Sequence, residues 1–163
     1  MPHDVRLWSS ALSKWAFRCG ILLLATIVPA QAFAALGSSA ASIREDQSRM
    51  NARVTVIQAQ SYSVHILKSD IGVLVREYVS ADGRVFAISW RGPFMPEMKL
   101  ILGSYFREYR SALISQPRQM RRSFVRLTRS TLVVESVGHL RDYSGKAYDP
   151  TLIPSGVTPD ELL

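Results

Sequence analysis

The sequence predicts an α+β domain in which an antiparallel β-meander of about 4–5 strands packs against one long amphipathic helix. A short N-terminal helix and an irregular C-terminal tail complete this class. Segments rich in β-branched and aromatic residues alternate with turn residues, as in a meander. One longer stretch repeats apolar residues at three- and four-residue intervals, as a helix does. The tail contains Pro150, Pro154, Gly156 and Pro159, which disfavour long regular elements.

Residues 1–34 have the three parts of a cleavable signal peptide. A basic flank precedes an apolar run at 20–28, and small residues follow at the positions that a signal peptidase requires. We predict cleavage after Ala34, so that the mature chain begins at Ala35; cleavage after Ala32 is the alternative. An uncleaved anchor is the rival interpretation, but the apolar run is shorter than the about 20 residues needed to span a bilayer.

Residues 35–163 are long enough for a single domain with its own hydrophobic core. Cys19 is the only cysteine and lies in the predicted leader, so the mature chain would be cysteine-free and would have no disulfide. The formal net charge of the full chain is +7 at pH 7, and the domain without its leader stays modestly basic. This balance does not require a nucleic-acid partner. We expect an exported protein of the periplasm or cell envelope, with no transmembrane anchor after cleavage.

The first elements of the domain are a short helix and a three-stranded meander. Ser42 and Glu45 have the spacing of a capping box, which predicts a helix that begins at Ile43 and ends near Arg53. Three segments that follow it have the composition of strands: 62–68, 73–79 and 85–90.

The turn before the third strand also predicts a register. Gly83 at the end of a three-residue loop suits a type I turn with a glycine bulge, which pairs Ser80 with Arg84 and Tyr78 with Phe86. Both faces of this hairpin are largely apolar, so each face needs a cover. The candidates for the second cover are the N-terminal helix, the C-terminal tail and another molecule.

One helix at 98–113 is the predicted cover of the first face. Its apolar residues repeat over about four turns, Pro96 suits a first turn, and Glu97 lies where the helix dipole favours an anion. Two further extended segments are predicted at 131–140 and 146–148.

No catalytic or metal-binding pattern is present in the sequence of the domain. His65 and His139 each lie in a predicted strand, without cysteine and without close histidine spacing, so we expect neither a metal nor a cofactor. The ordinary role of such a histidine is a partly buried, hydrogen-bonded ring. A site shared by both histidines requires that their strands be neighbours. The sequence also has no Gly-x-Ser-x-Gly elbow and no phosphate-binding glycine loop.

The loop at 90–96 is the first candidate for binding, because it joins the last meander strand to the predicted helix. Its residues Trp90, Arg91 and Phe94 either cap the core or line a pocket.

A basic segment is the second candidate. It extends from Arg118 to Arg129 without an acidic residue. Arginines such as Arg121, Arg122 and Arg126 bind phosphates and carboxylates through two parallel hydrogen bonds. The alternative is a solvated connection followed by an edge strand that its charges keep soluble.

Several motifs resemble a known family. They are VREYVS at 75–80, GRVFA at 83–87, WRGP at 90–93 and LGSYF at 102–106, with shorter similarities at 35–37, 138–139 and 145–148. In this order they are similar to DUF2844, an exported proteobacterial family described only as a domain of unknown function. The resemblance covers nearly all of residues 35–163. It implies export and a single domain, and it implies no activity and no catalytic residues.

These observations favour an exported, non-enzymatic binding or interaction module of the periplasm or cell envelope, which binds a partner such as an envelope protein through the second sheet face or the loop at 90–96. The alternative is a binder of an anionic envelope component through the basic segment. A second alternative is a small enzyme that uses His65 or His139.

Overall fold

The computed structural model describes residues 35–115 and 124–162. Within these residues, seven strands form one antiparallel sheet in the order β1-β2-β3-β4-β7-β6-β5. The strands are β1 Ala52–Gln58, β2 Tyr62–Ser69, β3 Leu74–Ser80, β4 Val85–Gly92, β5 Phe124–Thr128, β6 Val133–His139 and β7 Asp142–Tyr148. A first meander, β1 to β4, therefore meets a second group, β5 to β7, where β4 pairs with β7.

The helices of the described residues are short. They are α1 Ile43–Arg49, α2 Met98–Leu102 and α3 Phe106–Ser115, with 3-10 turns at Ala40–Ser42, Gly103–Tyr105 and Pro159–Glu161. The predicted arrangement of about 4–5 strands on one long helix is therefore wrong in both of its parts.

Gly103 divides the predicted helix at 98–113. Its φ of 50° and ψ of −120° lie outside the helical region and suit glycine alone. A Cβ atom at this position would also lie 2.2 Å from the Cβ atom of Ala35. The close approach of the N-terminal segment thus requires glycine here, and the chain resumes its helix only at Phe106.

The two edges of the sheet are β1, which the sequence did not predict, and β5, which lies where the alternative interpretation of the basic segment placed an edge strand. The predicted helix at 43–53 ends at Arg49, because the β-branched residues at 54–57 favour a strand and pair with β2. The capping box does not form either. The Ser42 hydroxyl instead donates a hydrogen bond to the backbone oxygen of Ser39 at 2.5 Å.

The turn between β3 and β4 confirms the predicted loop. The backbone N–H of Ser80 donates to the oxygen of Arg84 at 2.9 Å, and the N–H of Gly83 donates to the oxygen of Ser80 at 2.9 Å. Gly83 has a φ of 79°, as a glycine bulge requires.

Beyond this turn the predicted register is wrong. The pairing shifts at a bulge, so that Tyr78 pairs with Ala87 instead of Phe86, and Glu77 pairs with Ile88. Paired residues of neighbouring strands share one face of a sheet. The bulge therefore places Ile88 on the same face as Glu77.

The two faces of the sheet have different covers. All three helices pack on the face that we call the helical face, where residues such as Val75, Ile88 and Trp90 form the larger core. The opposite face, which we call the tail face, packs around Phe86 against the C-terminal tail. The tail and strand residues of this smaller cluster include Tyr78, Ala87, Leu152, Ile153, Val157 and Leu162. The tail is thus the second cover, and α1 belongs to the first.

The residues just after the predicted cleavage point are part of the fold. Ala35 and Leu36 are buried, and the N–H of Leu36 donates to the oxygen of Ile101 at 3.0 Å. The N–H of Gly37 donates to the oxygen of Val85 at 2.7 Å. The predicted leader, residues 1–34, lies outside the described residues.

Candidate functional site

A cleft of about 350 Å³ opens at one end of the sheet, beside the loop that leads into α2. Three segments form its walls: the end of α1, the turn between β2 and β3, and the loop itself. Its apolar lining residues are Met50, Ile71, Val73, Met95, Pro96, Leu100 and Ile101. Its polar lining residues are Arg49, Asn51, Ser69, Asp70 and Glu97.

The apolar residues of the cleft extend to its mouth. The Ile71 side chain is 60% exposed, and Met95 is also exposed. Phe94, the residue before Met95, adds a further exposed apolar side chain. An exposed apolar group of this kind beside a concave surface is typical of a binding site.

Hydrogen bonds hold the turn that forms one wall. The Ser69 hydroxyl donates to the backbone oxygen of Val73 at 3.1 Å and accepts from the N–H of Val73 at 3.0 Å. The Asn51 side-chain amide donates to a carboxylate oxygen of Asp70 at 3.1 Å. These bonds connect the end of α1 to the turn between β2 and β3, so the wall is formed before any partner binds.

Two carboxyl groups lie under α1 in the core of the helical face. Asp46 and Glu77 are fully buried, and among the described residues none of their four carboxyl oxygens has a hydrogen-bond partner. Ionised carboxylates are costly in such surroundings, because burial removes their hydration.

Burial raises the pKa of Asp46 to about 7, with the nearby Arg49 guanidinium lowering it and Glu45 raising it. Burial also raises the pKa of Glu77 well above its usual range, and Asp46 raises it further. Burial therefore favours the protonated form of Glu77, and Asp46 titrates near neutral pH.

Asp46 and the cleft are connected through α1. The Asp46 side chain points into the core, and Arg49, one turn later on the same helix, lines the cleft. Arg49 also forms an ion pair with Glu45 at 2.5 Å. The Asp46 carboxyl group therefore interacts electrostatically with Arg49, a residue that lines the cleft.

The structure separates the three candidate residues of the loop at 90–96. Trp90 is buried in the core of the helical face, Arg91 is exposed and 3.6 Å from a carboxylate oxygen of Asp142, and Phe94 is exposed beside the cleft mouth. The later residues Met95 and Pro96 line the cleft.

The basic segment is described only in part, since Arg118, Arg121 and Arg122 lie outside the described residues. Arg126 lies on β5, where its Nε is 3.2 Å from a carboxylate oxygen of Glu135. Its guanidinium carbon is 5.3 Å from the centre of the Phe124 ring. Arg126 is thus engaged by neighbouring residues of the sheet.

The histidines lie far apart in the sheet. His65 lies on β2 and His139 at the end of β6, and β3, β4 and β7 lie between these strands. The His65 Nε2 is 3.3 Å from the Ser63 hydroxyl, and burial lowers the pKa of His65. A site shared by the two histidines is therefore excluded.

Within 35–115 and 124–162, no group of three or more histidine, cysteine, aspartate or glutamate side chains is placed to hold a metal ion. The helices of this part of the chain are also too short or too polar to cross a membrane.

The sequence did contain a signal for the buried carboxyl groups. Glu77 is the one charged residue on an otherwise apolar side of β3, between Val75 and Val79. Asp46 follows Ile43 by three residues, so it lies on the buried side of α1. An acid on the apolar side of an element predicts either a buried pair or a site.

A comparison with protein families matched residues 32–162 to the model described as "Protein of unknown function (DUF2844)". No curated protein and no solved structure matched the chain. The matched range includes all seven described strands, the cleft and both buried carboxyl groups. It confirms the resemblance of the motifs, and the chain belongs to the DUF2844 family.

Proposed function

We propose that this protein is an exported binding protein of the cell envelope, and that its cleft binds an apolar side chain from an extended segment of a partner protein. The observation that carries the proposal is the cleft with Ile71 and Met95 exposed at its mouth. Burying such side chains against a partner contributes about 25 cal/mol for each Å² of apolar surface removed from water.

The properties of the cleft favour a protein segment. Its volume of about 350 Å³ is near the lower limit for small-molecule sites, and Phe94 continues the apolar surface outside it. Methionine adapts its shape to different apolar groups, so Met95 suits a variable side chain. Asp70 and Glu97 place carboxylates in the lining, which favours a basic residue next to the apolar one.

Two observations support export. The family match begins at residue 32, close to the predicted cleavage site at Ala34, so residues 1–31 lie outside the matched range. Ala35 and Leu36 are buried in that domain. N-terminal sequencing of the protein from the periplasmic fraction should give Ala35 as the first residue. A cytoplasmic protein that retains residues 1–34 would contradict export.

Site-specific crosslinking in intact cells tests the cleft. A photoreactive amino acid at position 71 should give a discrete protein adduct, identified by mass spectrometry. The same amino acid at position 114 is the matched control, because Ile114 is 69% exposed and lies on α3 outside the cleft. Adducts at both positions, or at neither, would contradict the proposal.

Binding measurements with the captured partner then test the contact itself. Ile71→Asp should weaken the affinity by at least tenfold, because the partner's apolar side chain would be buried against a carboxylate. Ile114→Asp should change it by less than about twofold. An Ile71→Asp protein that binds like the unaltered protein would reject the cleft as the binding site.

A further inference from the structure

The edge strand β1 leaves apolar side chains uncovered on both sides of the sheet. Val56 is 47% exposed and Ile57 is 52% exposed, and successive residues of a strand point to opposite faces. No other strand of the described residues pairs with the outer side of β1.

The outer side of β1 also presents unpaired backbone groups. The N–H of Ala59 donates to the oxygen of Tyr62 at 2.8 Å, so the odd-numbered residues of β1 direct their backbone groups to β2. Backbone groups alternate in direction along an antiparallel strand. Val54, Val56 and Gln58 therefore direct their N–H and C=O groups away from the sheet.

The usual protection of an edge strand is missing here. Charged residues, prolines and bulges normally prevent an edge from pairing with another strand. Residues 54–58 contain neither a charge nor a proline, and the register of β1 with β2 continues without a shift from Ala52 to Gln58.

We propose that β1 pairs with β1 of a second copy of this chain, antiparallel, to join two sheets edge to edge. The occupant must present an uncharged stretch of strand with apolar side chains on both faces, and residues 54–58 of β1 themselves have this composition. A two-fold interface also requires a self-complementary surface. This inference does not depend on the proposed function of the cleft.

A register centred on Val56 satisfies these requirements. Val56 then faces Val56 of the second copy, and Val54 faces Gln58 at each end, with about six backbone hydrogen bonds across the interface. On the other face, Ile57 of each copy covers Thr55 of the other. One strand pair buries less than the about 1,200 Å² of a stable interface, so we expect a dissociation constant of roughly 10 µM to 1 mM.

Sedimentation velocity of the purified full chain tests the pairing, in reducing buffer so that Cys19 forms no disulfide. The average mass should rise toward that of a dimer between about 10 µM and 1 mM. Val56→Lys should raise the dissociation constant at least tenfold, and Ile57→Lys, on the opposite face, should do the same. Ile114→Lys should change it by less than about twofold.

Amide hydrogen exchange gives a second measurement that does not depend on a variant. The amides of Val54, Val56 and Gln58 should exchange at least tenfold more slowly at the high concentration, while those of Thr55 and Ile57 change little. A chain that stays monomeric throughout overturns the proposal. A dimer that Val56→Lys and Ile57→Lys leave unchanged, or that leaves these amides unprotected, also overturns it.

Discussion

The two halves of the sheet differ in whether their buried charged residues have hydrogen-bond partners among the described residues. In the half formed by β5 to β7 and the tail, Lys146 is buried but donates to the backbone oxygen of Pro159 at 2.9 Å, and Glu135 lies 4.0 Å from its Nζ. In the half formed by α1 and the β1 to β4 meander, the carboxyl groups of Asp46 and Glu77 are buried without hydrogen-bond partners among the described residues. The first arrangement stabilises the fold, whereas the second lowers its stability.

The two edge strands also differ, because one has a charged residue in contact with its neighbours and the other exposes apolar side chains. Arg126 on β5 contacts Glu135 and the Phe124 ring, while residues 54–58 of β1 have no charge and expose Val56 and Ile57. The cleft also lies in the meander half. Groups that a fold leaves unsatisfied are often those that it uses, so the comparison directs attention to the meander half.

The largest expected change in stability comes from removing a buried carboxyl group that has hydrogen-bond partners. Asp149 is buried and accepts hydrogen bonds from the backbone N–H of Thr151 at 2.8 Å, from its hydroxyl at 2.7 Å and from the Tyr105 hydroxyl at 2.5 Å. Asp149→Ala should lower the free energy of unfolding by about 3 kcal/mol, measured in urea. Asp142→Ala is the matched control, because its carboxylate is exposed and pairs only with Arg91 at 3.6 Å. It should cost less than about 0.5 kcal/mol.

If the two aspartate variants have equal effects, the hydrogen bonds of Asp149 do not hold the tail to the helical layer. The β5 to β7 half would then owe its stability to packing alone.

In the meander half, replacing a buried acid should have an intermediate effect and should raise the free energy of unfolding. The pKa of Asp46 is about 7 in the folded state, against the ordinary aspartate value of 3.8. Between these values the folded protein keeps a proton that the unfolded chain has lost, so stability falls as the pH rises from about 4 to about 7. Asp46→Asn removes this titration. It should raise the free energy of unfolding at pH 8 by at least about 1.4 kcal/mol, the equivalent of one pKa unit.

Urea unfolding at pH 5 and at pH 8 measures this difference. Asp142→Asn, which changes an exposed carboxylate in the other half of the sheet, is the control and should leave the pH profile nearly unchanged. An Asp46→Asn protein that loses stability at pH 8, or whose profile matches that of the unaltered chain, would show that the Asp46 carboxyl is satisfied in solution.

The smallest effect on stability is expected from a substitution that makes the β5 edge resemble the β1 edge. Arg126→Val leaves β5 without a charge, as in residues 54–58 of β1, and removes exposed contacts with Glu135 and the Phe124 ring, so the free energy of unfolding should change by less than about 0.5 kcal/mol. In the Val56→Lys background, however, this variant should associate with rising concentration, as light scattering would detect. If the double variant stays monomeric, the absence of charge is not what makes an edge available for pairing.

The sequence was sufficient for local features and insufficient for long-range ones. The strands β2, β3 and β4 and the Gly83 turn followed from composition and turn chemistry. The bulge beyond that turn has no sequence signal of its own, so the register was wrong by one residue. The predicted helix includes the first two residues of β1, because the helical spacing of Ile43 and Met50 continues to Val54.

The cleft could not be predicted, because its three walls come from segments at about 49–51, 69–73 and 95–101. Only the fold brings these segments together. Gly103 was visible in the sequence, but a glycine inside an apolar repeat is often tolerated in a helix. The contact with Ala35 that forbids a side chain there is a property of the folded chain.

The burial of Ala35 has a consequence for the order of events in the cell. The backbone N–H of Ala35 donates to the Ser38 hydroxyl at 2.7 Å, and its methyl group fills the space that Gly103 leaves. A peptidase needs several exposed, extended residues on both sides of the bond that it cuts. Removal of the proposed leader after Ala34 would therefore have to precede folding, and a domain that folded first would keep its leader.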